Sequence, residues 1–271
     1  MAIEEKRLTD ARRGLSAAPR LALAHGRVHF WQGGSLWIGR GHGLSDWHDH
    51  HAHQIALALD GECRFRSENE GAWAPFDGAI VPSHCLHQFV VQDSTVAHLF
   101  IEPETVEGRV LTRRFAAGAI APLPDEARRS MAAVLLGAHR AREGGAEMVS
   151  AAKKALALLT GATMQAVGVD ARITKALAYL RARVRTPISL ADAACAAALS
   201  PSRFRHVFVQ ETGATFRAYV LWLRLNVAIE ARMSGVSWTD AAHEAGFADS
   251  SHLTRTFKRM FGINPATLVP Q

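Results

Sequence analysis

The sequence predicts an α+β chain in three parts: a β-rich N-terminal domain closed as a small barrel or sandwich, a pair of connecting helices, and an all-α C-terminal domain with two helix-turn-helix units. Three observations predict it. Short apolar runs broken by Gly, Pro and Asp fill residues 25–120. After Pro122 and Pro124 the texture changes to helical periodicity rich in Ala and Leu, over residues 121–168. Within residues 169–271 a pattern of short helix, tight turn and longer helix occurs twice.

Taken in order, residues 1–24 are polar and are expected to be poorly ordered. Their opening stretch has no apolar core of the kind a signal peptide needs. In the β-rich part Ile55, Leu57 and Leu59 alternate, Asp60-Gly61 offers a turn, and Cys63 and Phe65 resume the alternation, which reads as a hairpin. Trp73, Phe76, Ile80 and Val81 follow, with Asp77-Gly78 as a second turn, and Phe89–Val91 and Val96–Ile101 read as two further strands. Residues 126–142 and 149–166 read as helices separated by Gly144-Gly145. On the first of them Met131, Val134 and Leu135 form a stripe that suits either pairing with a second copy or packing on the chain's own barrel.

The C-terminal part is the most regular. Asp170 caps a helix with Ile173, Leu177, Leu180 and Val184 on one face. Leu190, Ala194 and Leu199 mark a short helix and a tight connection. Ser200-Pro201 then opens a second helix with cap and first-turn proline in their favoured places, and Phe204 and Phe208 lie on one face of it. Thr212-Gly213 ends it, and a long helix with Phe216, Val220, Leu223 and Val227 inward follows. The pattern recurs with Ser237–Ala245, the turn at Gly246-Phe247, the cap Asp249, and Leu253, Phe257 and Phe261 at i+4 spacing before Gly262.

Charge separates the halves. Residues 1–166 hold 18 Lys/Arg and 18 Asp/Glu, whereas residues 167–271 hold 13 and 7, so the net charge of +6 lies entirely in the C-terminal part. A neutral half joined to a basic half fits a polyanion partner for the second, and equally a solvated basic face. Cys63, Cys85 and Cys195 lie too far apart for a disulfide framework or a cysteine zinc site. Reduced thiols, a cytoplasmic location and no membrane span are the expectation, since no run of about 18 apolar residues occurs.

The repeated units resemble the AraC/XylS family of bacterial regulators. The second unit, Ala245-Gly246-Phe247-Ala248-Asp249-Ser250-Ser251-His252-Leu253-Thr254-Arg255-Thr256-Phe257-Lys258-Arg259 and on through Phe261-Gly262 to Pro265, is similar to that family's signature almost throughout. The first, from Leu199-Ser200-Pro201 to Glu211-Thr212-Gly213, is similar too, departing at Ala198, where such turns carry glycine. The resemblance covers roughly residues 170–268. It implies a transcription regulator, activator or repressor being left open, that acts on double-stranded DNA as a homodimer, with RNA polymerase as a further partner and a small-molecule effector. In that geometry two recognition helices enter the major groove about 34 Å apart. Ser202, Arg205 and His206 on the first, and Ser250, Ser251, His252 and Arg255 on the second, project away from the apolar stripes toward base edges. Arg203, Lys258 and Arg259 suit phosphate contacts.

Residues 47–54 read Trp-His-Asp-His-His-Ala-His-Gln, and Pro82-Ser83-His84-Cys85-Leu86-His87 follows downstream. This resembles the two cupin motifs, in which two histidines, a carboxylate and a later histidine surround a metal. The matching positions are His48, His50, Gln54 and His87, with Gln54 standing where the metal-binding version has Glu. Three readings stay open: a cupin-like pocket for a small effector without metal, a divalent ion such as Zn²⁺ or Ni²⁺ on the histidines, or polar residues at a barrel mouth. Cys85 would add a soft ligand or fill space. A metal-dependent cupin enzyme fused to a DNA-binding tail is the rival, but it needs a base aimed at substrate, and no further acid stands out near these motifs. A DNA-repair role would need a reactive cysteine cluster. A non-enzymatic regulator is the expectation.

Overall fold

The computed structural model describes residues 23–67, 72–115, 118–161 and 168–270. The expected poorly ordered segment, residues 1–24, lies outside them except for its last two residues, which already belong to a strand.

The N-terminal strands are β1 Leu23–Trp31, β2 Gly34–Leu44, β3 His53–Ala58, β4 Cys63–Ser67, β5 Ala74–Phe76, β6 Gly78–Val81 and β7 His87–Ile101. Helix α1, Val106–Arg114, and the short β8, Ala121–Pro122, follow. Helices α2, Asp125–Arg140, and α3, Gly145–Thr160, then cross back over the sheet. The strand order is β8-β6-β3-β7-β2-β1-β9, where β9 is Leu268–Pro270 at the far end of the chain, pairing parallel with β1. The C-terminal domain therefore completes the N-terminal sheet.

Two expectations change here, and a third, left open by the sequence, is decided. Asp60-Gly61 does not close a hairpin. Both β3 and β4 run antiparallel to β7, β3 along residues 96–101 and β4 along 87–91, so the chain jogs and continues in the same direction. The jog is held by Asp60, whose carboxylate accepts a bond from the Thr95 hydroxyl at 2.8 Å. Asp77-Gly78 is the matching jog between β5 and β6, which pair with β4 and β3. Second, residues 87–101 form one long strand, bent near Asp93, where φ is +47°. Third, the α2 stripe is not a free pairing surface. Met131 and Leu135 are fully buried with Met148, Ala152 and Leu156 of α3 against Leu36, Ile38, Ile55 and Leu99 of the sheet. Strand alternation explains it, since every second residue of β2 and β7 faces those helices. Helix α1 was not anticipated; Thr105 caps it by accepting from the Gly108 N–H at 3.0 Å.

The C-terminal helices are α4 Ala171–Arg183, α5 Leu190–Ala196, α6 Pro201–Thr212, α7 Phe216–Met233, α8 Trp238–Glu244 and α9 Ser250–Phe261. Each begins at a side-chain cap: Asp170, Ser189, Ser200, Thr215, Ser237 and Asp249. The two units repeat to the level of these caps. Ser189 bonds the Asp192 N–H and carboxylate at 3.1 and 2.6 Å, and Ser237 does the same with Asp240 at 3.1 and 2.7 Å. Both longer helices span 12 residues and end on a left-handed glycine, Gly213 or Gly262. Their shared core holds Phe204, Phe208, Tyr219, Trp222, Leu253 and Phe257.

The turns differ as the sequence implies. Gly246 takes φ +78° in the second unit, and Ala198 is forced to +51° in the first. A Cβ in that region costs about 1–2 kcal/mol, partly offset by the greater freedom a glycine gives the unfolded chain. Ala198→Gly should therefore raise stability by about 0.5–1 kcal/mol in urea unfolding. A loss would contradict the strained-turn reading.

Candidate nucleic-acid interface and histidine centre

On α6 the apolar stripe faces inward, Phe204 and Phe208 being fully buried, while Ser202, Arg203, Arg205 and His206 are all exposed. Val209, which the sequence reading passed over, is 39% exposed one turn beyond Arg205. Its branched methyl end suits a thymine methyl. Helix α9 is arranged alike: Leu253 and Phe257 are buried, and Ser251, Arg255, Lys258 and Arg259 are exposed. Ser250 is half-buried. His252 is half-buried as well, its ring edge-on to Phe247 at 5.2 Å, so part of it serves the turn.

Both units also touch the N-terminal domain. Glu211 near the end of α6 pairs with Arg109 of α1. At the end of α9 the Asp46 N–H donates to the Gly262 carbonyl at 2.7 Å, and Lys258 lies 3.0 Å from the Asp46 carboxylate. Lys258, assigned to phosphate above, is thus partnered within the chain; both side chains are more than half exposed, so the pair holds it weakly. A Cβ on Gly262 would meet the Asp46 carbonyl at 2.4 Å and the His48 ring at 2.5 Å, so only glycine lets the helix end sit so close.

His48, His50 and His87 come together as the motif reading expects. All three are buried, each offering a ring nitrogen within 4.8 Å of the others. His48 and His87 also form a bridge between their backbones. Each ring is oriented in the same way, with Nδ1 2.8–2.9 Å from a backbone carbonyl two residues away: Asp46 for His48, Ala52 for His50 and Cys85 for His87. Donation from Nδ1–H leaves the lone pair on Nε2, the tautomer a metal ligand needs. Burial, with the neighbouring His50, lowers the His48 pKa to about 3, and burial with His48 pushes His87 well below its usual value, so both imidazoles are neutral. Among the described residues His87 Nε2 has no hydrogen-bond partner. His50 Nε2 lies 2.9 Å from the Gln54 amide oxygen. A neutral His50 that donates through Nδ1 makes these two acceptors face to face, which calls for a cation between them or for the amide turned end for end. The other end of the amide lies 2.8 Å from Nδ1 of His98, a fourth histidine that strand alternation places on the same face. Cys85 does not join the cluster.

Sequence reasoning missed the polar cluster that locks the domains. Glu102 accepts from Arg181 of α4 at 2.7 Å and from the Trp222 indole of α7 at 3.1 Å. Arg181 also donates to the Tyr219 hydroxyl at 3.1 Å, and His51 lies 2.9 Å from Glu104. Burial, reinforced by Glu104, raises the Glu102 pKa, with Arg181 opposing. Burial works against the charge on Glu104 too, but His51 prevails and holds it at about 2. No short motif marks this cluster, because its members come from the loop before β3, the loop after β7, α4 and α7.

A mixed-sheet domain followed by a helical domain with two helix-turn-helix units, each exposing one 12-residue helix, defines the class by its fold. A family model described as a helix-turn-helix domain matches residues 193–270. Over 102 residues the chain is 33% identical to the HTH-type transcriptional activator RhaS of Klebsiella pneumoniae, covering 37% of each chain. It is 36% identical over 83 residues to the transcriptional activator RhrA of Rhizobium meliloti, covering 30% of this chain and 26% of that one. It is also 32% identical over 99 residues to the uncharacterized regulator YidL of Escherichia coli K12, covering 36% of this chain and 33% of that one. These matches span about a third of the relatives' length. Apo ToxT of Vibrio cholerae superposes with a TM-score of 0.58 at 11% identity, over 89% of this chain and 97% of that one. ToxT with a bound unsaturated fatty acid gives 0.53 at 12% identity, over 93% and 95%. At such identities the likeness is one of fold. No helix among the described residues is long and apolar enough to cross a membrane.

Proposed function

We propose that the chain is a non-enzymatic transcription regulator of the AraC family that binds double-stranded DNA sequence-specifically, its cupin-like N-terminal domain sensing a small molecule or a divalent metal ion. The observation that carries this reading is the pair of 12-residue helices, α6 and α9, each burying its aromatic stripe and exposing Ser and Arg on the one basic part of the chain. The relatives named as transcriptional activators support an activating role, for which RNA polymerase is the partner proposed. Action as a homodimer needs a surface other than the Met131–Leu135 stripe, which is buried. Competition gel shifts test the core of the reading: a selected duplex should bind at least about 1,000-fold tighter than random duplex at physiological salt. Equal affinity for both would reject it.

For the sensing domain, His48, His50 and His87 fit Zn²⁺ or Ni²⁺, with the Gln54 amide oxygen as a weaker fourth donor. The orphaned Nε2 of His87 and the three carbonyl-bound Nδ1 groups are the evidence of fit. Such an ion would be the signal itself or a Lewis acid for an effector's donor atom. Elemental analysis of protein grown with zinc and nickel should find about one ion per chain, and less than a tenth of that in His50→Ala. No metal in the parent chain would leave only the small-molecule branch.

A further inference from the structure

Residues 45–47 form a short strap between β2 and the His48–His87 bridge, and it touches both the histidine centre and the second helix-turn-helix unit. One end is fixed by Ser45, whose N–H donates to the Phe89 carbonyl and whose hydroxyl accepts from the Phe89 N–H, both at 2.9 Å. The other end is fixed by His48 and His87, which exchange backbone hydrogen bonds at 3.0 Å. Between them the Asp46 N–H reaches the Gly262 carbonyl at 2.7 Å, and the Asp46 carbonyl accepts from His48 Nδ1 at 2.9 Å. Gly262 closes this triangle, since a Cβ on it would stand 2.4 Å from the Asp46 carbonyl oxygen and 2.5 Å from His48 Nδ1. Next to it Phe261 packs edge-on against Phe100 at 5.6 Å, and Phe100 meets the His50 ring edge-on at 5.1 Å. Two of the three histidines thus bear on the end of α9. The first unit is held differently. Gly213 ends α6 in the same left-handed conformation, φ +74° against +68°, yet among the described residues a Cβ there meets only the His84 ring, at 3.9 Å. His84 is outside the histidine cluster, and the Arg109–Glu211 pair ties α6 to α1, which carries none of its members.

We infer, resting on the metal branch of the function proposed above, that a divalent ion on His48, His50 and His87 governs the second recognition helix and not the first. Occupancy fixes the end of α9 through the Asp46 strap and strengthens the hold on the half of the DNA site that α9 reads. Three rings that each donate through Nδ1 bring three Nε2 lone pairs into one small space, the His48 and His87 ring centres lying 4.1 Å apart. Without a cation these lone pairs repel one another; with one, each ring is held in place. Holding the His48 ring holds its acceptor, the Asp46 carbonyl, and through the same peptide segment the Gly262 carbonyl. Helix α9 already presents Arg255 outward. An anchored end removes motion that DNA binding would otherwise have to arrest, so affinity rises.

Full chain stripped with chelator is titrated separately with Zn²⁺ and Ni²⁺, and the ion that binds once per chain is carried into gel shifts with a selected duplex. The ion should tighten the duplex at least about fivefold, and by reciprocity the duplex should tighten the ion by the same factor. Scrambling the half-site that Arg255 reads should abolish the gain, and scrambling the half-site that Arg205 reads should leave it. Gly262→Ala and Gly213→Ala introduce the same left-handed strain, but only the first drives a Cβ onto Asp46 and His48. Gly262→Ala should cut the gain below about twofold, and Gly213→Ala should keep it, both with unchanged circular dichroism. If Gly262→Ala does not fold, the parent-chain titrations decide alone. An ion that binds without altering duplex affinity, that weakens it, or that acts equally through both half-sites would overturn the inference and leave the metal site standing. A full gain in Gly262→Ala would overturn it as well. Failure of both ions to bind removes the metal branch together with the inference, whereas a parent chain with no sequence preference rejects the regulator reading.

Discussion

Arg205→Ala and Arg255→Ala are each expected to weaken the specific duplex complex by about 1–3 kcal/mol, roughly 5- to 150-fold in Kd, without unfolding the protein. Both side chains are exposed, and among the described residues no hydrogen bond or ion pair engages either guanidinium, so their removal leaves no buried group unpaired there. What is lost is a bidentate grip on a guanine edge, and the loss should be confined to duplexes that carry that guanine. Arg259→Ala provides the contrast. A phosphate contact weakens specific and random duplex alike and lowers the salt slope by about one. Wild-type affinity for both Arg205→Ala and Arg255→Ala in gel-shift titration would remove the contact assignment. A uniform loss on all sequences would move these residues to the backbone-contacting class.

Glu102→Ala should be the most damaging single change outside the aromatic core, costing about 3–5 kcal/mol. Its carboxylate receives the Arg181 guanidinium and the Trp222 indole N–H, and Trp222 is almost completely buried. Truncation strands both donors, and Glu104, 3.7 Å from Arg181, replaces only part of the interaction. Glu102→Gln retains an acceptor and should cost much less, about 1–2 kcal/mol. Because the cluster joins the segment just after β7 to α4 and α7, urea unfolding of Glu102→Ala followed by Trp fluorescence should show the helical domain separating first. A loss below about 1 kcal/mol would mean that water or Glu104 satisfies the two donors.

Legibility in the sequence followed how local the physics was. The C-terminal units were readable because caps, i+4 aromatic spacing and terminal glycines act within one turn of helix. Ser200-Pro201, Asp249 and Gly262 stand in the structure where those rules put them. Ala198, the departure from the family pattern, adopts the left-handed backbone its position demands. The histidine centre was readable for a similar reason, two short motifs with fixed spacing. His98 was not, because its place beside Gln54 depends on strand register. Register also undid the hairpin at Asp60-Gly61, whose signal is the same whether the chain reverses or jogs along a neighbour. The Met131 stripe was ambiguous from the start, since a buried face is apolar whatever covers it. The joining of β9 to β1 and the Glu102 cluster are long-range events with no local signature.

The claim on which the account depends is that α6 and α9 act together as two readers of one duplex. Selection of bound sequences from a random duplex library, using the full chain, tests it most directly. The predicted result is a motif with two specified blocks centred about 10–11 base pairs apart, the spacing of successive major grooves on one face, with Arg205→Ala relaxing one block and Arg255→Ala the other. A single block insensitive to one of the two substitutions, or no enriched sequence at all, would contradict it.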